Sequence, residues 1–298
     1  MAGSAAAEGG QGLAIITGAG RGLGFAFAQV LLRERLVSAV ALLDIAGAPE
    51  AAWRLETEFG VGCARGWKLD VTNLRALRST FASAADWAAG KGIATTVVIN
   101  NAGIAGNGLA GAAKVVAINL TAVVEGTRVA FDLMKGGSGG TVINVASFGA
   151  FVPMPFSPIY AATKAGVVAL SRSCVHLAAR DTDPVTGAPT GRQVHAPVCV
   201  VALCPAFADT AMVRDPMAAE GSGGAFSSVV EMQGGLMTTD FVASHAAEIV
   251  SRCRDAASGE DPCELAGEAV VVLPKGGRVA PPPSVRGDRF SLLRPSKL

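Results

Sequence analysis

Thr17-Gly18-Ala19-Gly20-Arg21-Gly22-Leu23-Gly24 follows the aliphatic run Leu13–Thr17 and leads into a segment of helical period, Leu23–Arg35. Glycines at a strand-to-helix junction supply a tight turn and let backbone N–H groups approach a pyrophosphate, whose charge the helix N-terminus favours. The spacing is T-G-x-x-x-G-x-G rather than G-x-G-x-x-G, and a glycine-rich turn in a chain with 37 glycines means little alone. Its position between a first strand and a first helix marks Gly18, Arg21, Gly22, Leu23 and Gly24 as candidate cofactor-binding residues.

Outward from this junction, short β-branched or aliphatic runs alternate with helix-period segments. Strands are predicted at Leu13–Thr17, Ala39–Leu43, Cys63–Leu69, Thr95–Asn100, Thr141–Val145, Val198–Leu203 and Ala269–Leu273. Helices are predicted at Leu23–Arg35, Pro49–Phe59, Leu74–Ala89, Leu109–Met134, Pro158–Ala179 and Thr239–Asp255. Right-handed crossovers turn that order into a doubly wound Rossmann α/β fold, a seven-stranded parallel sheet with helices on both faces. Residues 12–277 form one domain, after a disordered Ala/Gly-rich start at 1–11 and before a flexible tail at 278–298. Asp181–Pro197 reads as an extended surface loop. Residues 207–237, with Met212, Met217, Phe226, Met232 and Met237, read either as an apolar lid over a substrate pocket or as ordinary amphipathic packing.

Composition narrows the function. The net charge of +1, without a basic stripe, excludes the footprint of a nucleic-acid binder. The uncharged stretch Gly136–Thr163 is long enough for a membrane span, but Asn144, Ser147, prolines and glycines break it, so no span is expected. The six cysteines have no C-x-x-C spacing and are read as free thiols in a reducing compartment. His176, His195 and His245 lie far apart, so a zinc alcohol dehydrogenase is excluded and no metal site is expected.

Asp44 ends the second predicted strand, about 20 residues past the glycine turn, where a carboxylate accepts hydrogen bonds from the adenosine ribose hydroxyls. Its charge repels the 2′-phosphate of NADP, and Ile45 follows where a second basic residue would help NADP. The expected cofactor is therefore NAD, with Arg21 the one feature favouring NADP. Asp70-Val71 and Asn101-Ala102-Gly103 lie at carboxyl ends of strands, where such sheets bind ligands, and are read as flanking the adenine. Each motif alone is also compatible with a turn held by side-chain hydrogen bonds.

Ser157 and Pro158 read as N-cap and first residue of a helix, which puts Tyr160, the only tyrosine, in its opening turn. Lys164, four residues on, shares that face. A phenol with a pKa near 10 needs about 4 kcal/mol of preference for the phenolate to titrate near 7, and the Lys164 ammonium with an oxidised nicotinamide can supply it. Tyr160 is then the acid/base of an alcohol–ketone interconversion, and Ser147, at the end of the fifth predicted strand, holds the substrate oxygen beside it. Asn119, inside a helix where Asn costs propensity, is a candidate for a special role or an ordinary polar residue.

With these pieces in order, residues 12–275 resemble the short-chain dehydrogenase/reductase family, and most of all its NAD-dependent hydroxyprostaglandin dehydrogenase branch, through Ile118-Asn119-Leu120, Cys204-Pro205-Ala206-Phe207 and Thr210-Ala211. The resemblance implies a catalytic tetrad of Asn119, Ser147, Tyr160 and Lys164, with Asn119 in a water-linked proton relay to Lys164. It implies cofactor contacts from Pro205 and Thr210 and substrate contacts from Ser147, Ser157 and Phe207. Ser157 stands where that branch has a substrate-binding Gln, so prostaglandins are not implied, and Ala206 replaces the usual Gly after Pro205. A homodimer or tetramer, packed through its two long helices, is expected by analogy. An NADPH-dependent carbonyl or enoyl reductase and a catalytically idle NAD-binding regulator are the competing readings.

The tail carries Pro281-Pro282-Pro283 and several arginines, then Ser296-Lys297-Leu298. S-K-L is the peroxisomal import signal, so an import receptor is an expected partner and the peroxisome matrix the expected location. A hydroxylated lipid or acyl intermediate would suit an NAD enzyme there.

Overall fold

The computed structural model describes residues 12–106, 108–134, 139–174, 198–220, 224–257 and 263–274. The expectations for residues 1–11, the 181–197 loop and the 278–298 tail lie outside the described residues.

Seven strands form the sheet: β1 Leu13–Thr17, β2 Ala39–Asp44, β3 Ala64–Lys68, β4 Thr95–Asn100, β5 Gly140–Val145, β6 Val198–Pro205 and β7 Ala269–Val272. They run in the order β3-β2-β1-β4-β5-β6-β7, and every pairing is parallel. The order reverses between β1 and β4, where the chain leaves for the opposite half of the sheet. That switch opens a crevice at the carboxyl ends of the two strands.

A sheet buried on both faces needs apolar residues at both parities of each strand. In β1, Ala14 and Ile16 join one core with Phe27, Leu31 and Leu55, from α1 (Gly22–Arg33) and α2 (Ala48–Phe59), and with Val242, Ala246 and Val250 of a late helix, Thr239–Ala257. Leu13 and Ile15 join the other core, with Leu77 and Phe81 of α3 (Leu74–Ala89) and with Ala130 and Met134. Each Val, Leu, Ile, Phe or Met among these contributes roughly 1.5–3 kcal/mol when fully buried.

The helix predicted at Leu109–Met134 begins later and is not uniform. Gly108 (φ 57°) and Gly111 (φ 67°) take left-handed conformations that a right-handed helix cannot include. The helix starts as α4 (Ala112–Val116), passes through a π turn at Ala117–Thr121 and continues as α5 (Ala122–Met134). Next, α6 spans Pro158–Ser173, and residues 175–179 of the predicted helix lie outside the described ones. Between β6 and β7 come α7 (Ala211–Glu220), α8 (Ala225–Met232) and α9 (Thr239–Ala257). The 207–237 segment is pinned at its base, where Met237 N–H donates to Phe207 O and Asp209 N–H to Met237 O, both at 2.8 Å. No described helix is long and apolar enough to cross a membrane.

Beneath the crevice, polar side chains tie β4, β5, α5 and α6 together. Asn100 Nδ2 donates to Asn144 Oδ1 at 2.8 Å, Thr127 Oγ1 donates to the same oxygen at 3.1 Å, and Asn144 Nδ2 donates to Ser171 Oγ at 3.0 Å. Gly126 permits this, because a Cβ there would collide with Asn100 Oδ1. Asn144→Ala removes three buried hydrogen bonds, although Asn100 keeps Thr127 and Ser171 keeps Val167 O, and is expected to destabilise the protein by about 2–4 kcal/mol, read as a lower urea midpoint. A loss within about 0.5 kcal/mol would show that the network does not matter.

Candidate active site

The crevice is a cleft of about 430 Å³ at the carboxyl edge of the sheet. Glycine geometry shapes its floor. Gly18 has φ 65°, and a Cβ there would stand 2.8 Å from Ala102 Cα, so the first glycine lets the β1 and β4 loops touch. Gly24 is buried against Gly18 O and does not reach the cleft, which corrects its expected cofactor contact: it lets α1 pack on the loop. Gly22 (φ 58°) does line the cleft, and a Cβ there would fill the gap to Thr210, 3.5 Å from its Cγ2. That open cradle, below a helix start without a side-chain cap, suits a dinucleotide phosphate.

Asp44 Oδ2 accepts from Gly20 N–H at 2.8 Å and Oδ1 from Ala46 N–H at 3.2 Å, which fixes the carboxylate at the cleft wall. Gly20 is a residue that the sequence reading passed over. A Cβ there would stand 2.3 Å from Ala46 O and 3.1 Å from Asp44 Oδ2, so this glycine, at a variable position of the motif, lets the loop close on the end of β2. Arg21 is exposed at the same rim. Asp70 accepts from Thr72 N–H and Thr72 Oγ1, at 2.9 and 2.8 Å, and these bonds hold its carboxyl below the usual range. Val71, Ala102, Gly103 and Pro205 line the cleft as expected. Asn101 lines it too, but its side chain faces the glycine loop, donating to Thr17 O at 3.0 Å and Gly18 O at 2.9 Å.

Tyr160, Ser147 and Lys164 converge at the far end. Ser147, with extended backbone, hydrogen-bonds the Tyr160 phenol and accepts from Gly149 N–H at 3.1 Å. Lys164 is buried, its Nζ donating to Val145 O at 2.7 Å and lying 5.6 Å from the Tyr160 ring centre. Burial raises the Tyr160 phenol above its ordinary value of 10.0, while Ser147 pulls it down. Burial also lowers Lys164 to about 8. In the free protein the Lys164 charge is penalised by burial and its ammonium is tethered to β5, and the expected ionisation of the phenol required an oxidised nicotinamide beside it as well. Cys204, beside them, is pushed up to about 12 by burial and stays neutral.

Asn119 sits in the π turn and is fully buried, not in the cleft. Its Oδ1 accepts from Ile104 N–H and its Nδ2 donates to Ile104 O, both at 2.9 Å, so its side chain clamps the β4 loop. With its amide occupied in this way, the Asn119 side chain is a clamp on the loop, and the water-linked relay that the resemblance implies would run through other atoms of this residue. Only Gly103 separates it from Lys164: a Cβ there would stand 3.5 Å from Asn119 Oδ1 and 3.6 Å from Lys164 Nζ. Ser157 is the N-cap of α6 but makes no capping bond; its hydroxyl donates to Gly106 O at 2.7 Å. Phe207 packs edge-on against Phe226, ring centres 5.6 Å apart, and with Met212, Met154 and Val152 forms an apolar wall that the sequence reading named only in part.

A dehydrogenase family is what this arrangement resembles, and the chain belongs to it: the family model described as short chain dehydrogenase matches residues 12–221. The protein is an oxidoreductase of that family. It is 30% identical over 205 residues to the 15-hydroxyprostaglandin dehydrogenase [NAD(+)] of Homo sapiens, covering 68% of this chain and 70% of that one. It is 34% identical over 163 residues to the 2-(S)-hydroxypropyl-CoM dehydrogenase 3 of Xanthobacter autotrophicus, covering 53% of this chain and 62% of that one. A 3-ketoacyl-(acyl-carrier-protein) reductase from Brucella melitensis, solved with NADH, shares the fold at a TM-score of 0.66 and 22% identity, covering 89% of this chain and 97% of that one.

The buried Lys164 makes a stability prediction. Because its value falls from 10.5 to about 8, the folded chain releases this proton before the unfolded chain does. Stability should therefore rise between those two pH values, and below them the buried ammonium costs up to about 3 kcal/mol. Lys164→Met is expected to raise the urea midpoint at pH 7, to lose that advantage in alkali and to abolish turnover. A lower midpoint at pH 7 would show that the ammonium is not penalised.

Proposed function

We propose that the protein oxidises a secondary alcohol on a hydrophobic, lipid- or acyl-type substrate with NAD. The observation that carries this reading is the convergence of Tyr160, Ser147 and Lys164 at one end of a cleft whose other end is walled by Asp44.

Gly18, Gly22 and Arg21 would hold the dinucleotide phosphates, Asp44 the adenosine ribose, and Thr210 and Pro205 the nicotinamide end. When bound, NAD supplies the hydride acceptor. Ser147 Oγ orients the substrate hydroxyl toward the Tyr160 phenol oxygen, which holds and moves its proton. Lys164 Nζ, fixed on Val145 O, stands behind the phenol as the next polar group on the proton path. Phe207, Phe226 and Met212 line that end with apolar surface and support the choice of an apolar substrate.

A homo-oligomer is part of the proposal. Val116 and Val124 are exposed on α4 and α5, and Ala162, Ala165 and Ala169 on α6, a face that a second copy can cover; light scattering at working concentration should give at least a dimer mass. A peroxisomal address, read by an import receptor at Ser296-Lys297-Leu298, is also part of the proposal, and deleting those residues should leave a fluorescent fusion in the cytosol.

Tyr160→Phe is expected to cut turnover by about 10²–10⁴-fold while NAD affinity stays unchanged, and full activity in that variant would overturn the mechanism in favour of a different acid/base. Asp44→Ala should narrow the preference for NAD over NADP in binding titrations. Tighter binding of NADP by the unaltered protein would favour the reductase reading through Arg21.

A further inference from the structure

Cys199, Cys253 and Cys263 are 54 and 10 residues apart in sequence, yet their sulfurs all lie within 4.8 Å of one another. They come from the start of β6, the last turns of α9 and the turn before β7. Cys253 donates to the Cys199 sulfur at 2.8 Å and Cys263 to the Cys253 sulfur at 3.0 Å. All three are buried, at 5%, 3% and 8% exposure, so ordinary solvent contact does not account for the cluster. Backbone N–H groups of Leu265 and Ala266 also reach the Cys263 sulfur, and the Thr141 hydroxyl reaches that of Cys253.

We propose that Cys199, Cys253 and Cys263 form a three-thiolate site for a divalent ion of the zinc class. Three sulfurs so placed share a point near the metal–sulfur distance of about 2.3 Å, reached after the two closest pairs spread by roughly 1 Å. Soft sulfur donors select such ions over magnesium or calcium. Two features favour a metal over a disulfide. A disulfide would use only two of the three sulfurs, and N–H donors converging on Cys263 suit an anionic sulfur, whereas a disulfide sulfur is a poor acceptor. Three thiolates around a divalent ion leave one negative charge, and the Arg252 guanidinium, electrostatically coupled to Cys263, is already shared by Glu248 and Glu264. Thr141 or water can complete a tetrahedron. Cys199 stands about 20 Å along β6 from Pro205 at the cleft, so the site is structural: it fastens α9 and the β7 turn to the sheet.

The test uses the full-length protein purified under reducing, chelator-free conditions. Elemental analysis should find close to one zinc per chain, and cadmium added to the stripped protein should develop a thiolate-to-cadmium charge-transfer band saturating at one equivalent. Bound metal should protect three thiols from a maleimide in the unaltered protein, a readout that needs no variant. Cys199→Ser and Cys253→Ser should lose the band while still binding NAD, and Cys63→Ser should keep it. Absence of stoichiometric uptake, or a stoichiometric disulfide among the three cysteines in anaerobically purified protein, would overturn the proposal.

Discussion

Four hydrogen bonds between Thr17–Gly18 and Asn101–Ala102 hold the ends of β1 and β4 together: two N–H groups converge on Thr17 Oγ1 and one carboxamide spans two carbonyls. The crevice exists because strand order reverses between these two strands, and this seam carries their pairing past Ile16 and Ile99 into the loops. With the loops joined, Gly18 can touch Ala102, Gly24 can seat α1, and Asp44 can reach the loop through Gly20. The cofactor wall thus leans on one polar seam, 84 residues apart in sequence, above the buried Asn100–Asn144 network and the apolar cores of the sheet.

Burial governs the reaction end in the same way. A phenol, an ammonium and a thiol lie together on the inner side of the cleft, and low polarity pushes each toward its neutral form. Tyr160 and Lys164 are therefore not preset as an ion pair. Ser147 is the group that favours phenolate in the free protein, and Val145 O fixes where the lysine can stand. In the free protein the phenol is thus held toward its protonated form, and a positive charge brought beside it, as an oxidised nicotinamide would bring, would favour its ionisation.

Much of this was legible in the sequence because it rests on local periodicity and on motifs at element ends. Thr17–Gly24, Asp44 and Tyr160–Lys164 fall where the alternation of strands and helices puts them, and the seven strands of the sheet differ from expectation only at their ends. What local patterns miss is tertiary. The left-handed glycines that delay α4 look like any glycines in a glycine-rich chain, and the π turn at Asn119 has no periodic signature. Asn101, Asn119 and Ser157 carry residue types suited to ligand contact, yet each is taken up by backbone groups that only the folded chain brings near. The three clustered cysteines were invisible for the same reason: spacing rules detect local metal motifs, not sulfurs supplied by a strand, a helix and a turn.

Because the chain has a single tyrosine, the tyrosinate signal reports Tyr160 alone. Titrating that signal in the free protein, again with NAD⁺ present, and again in Ser147→Ala is the most direct test. The account predicts a phenol that ionises above 10.0 in the free protein, falls when NAD⁺ is added and rises further without the Ser147 hydroxyl. A phenol that ionises at or below that value in the free protein, indifferent to both changes, would contradict it.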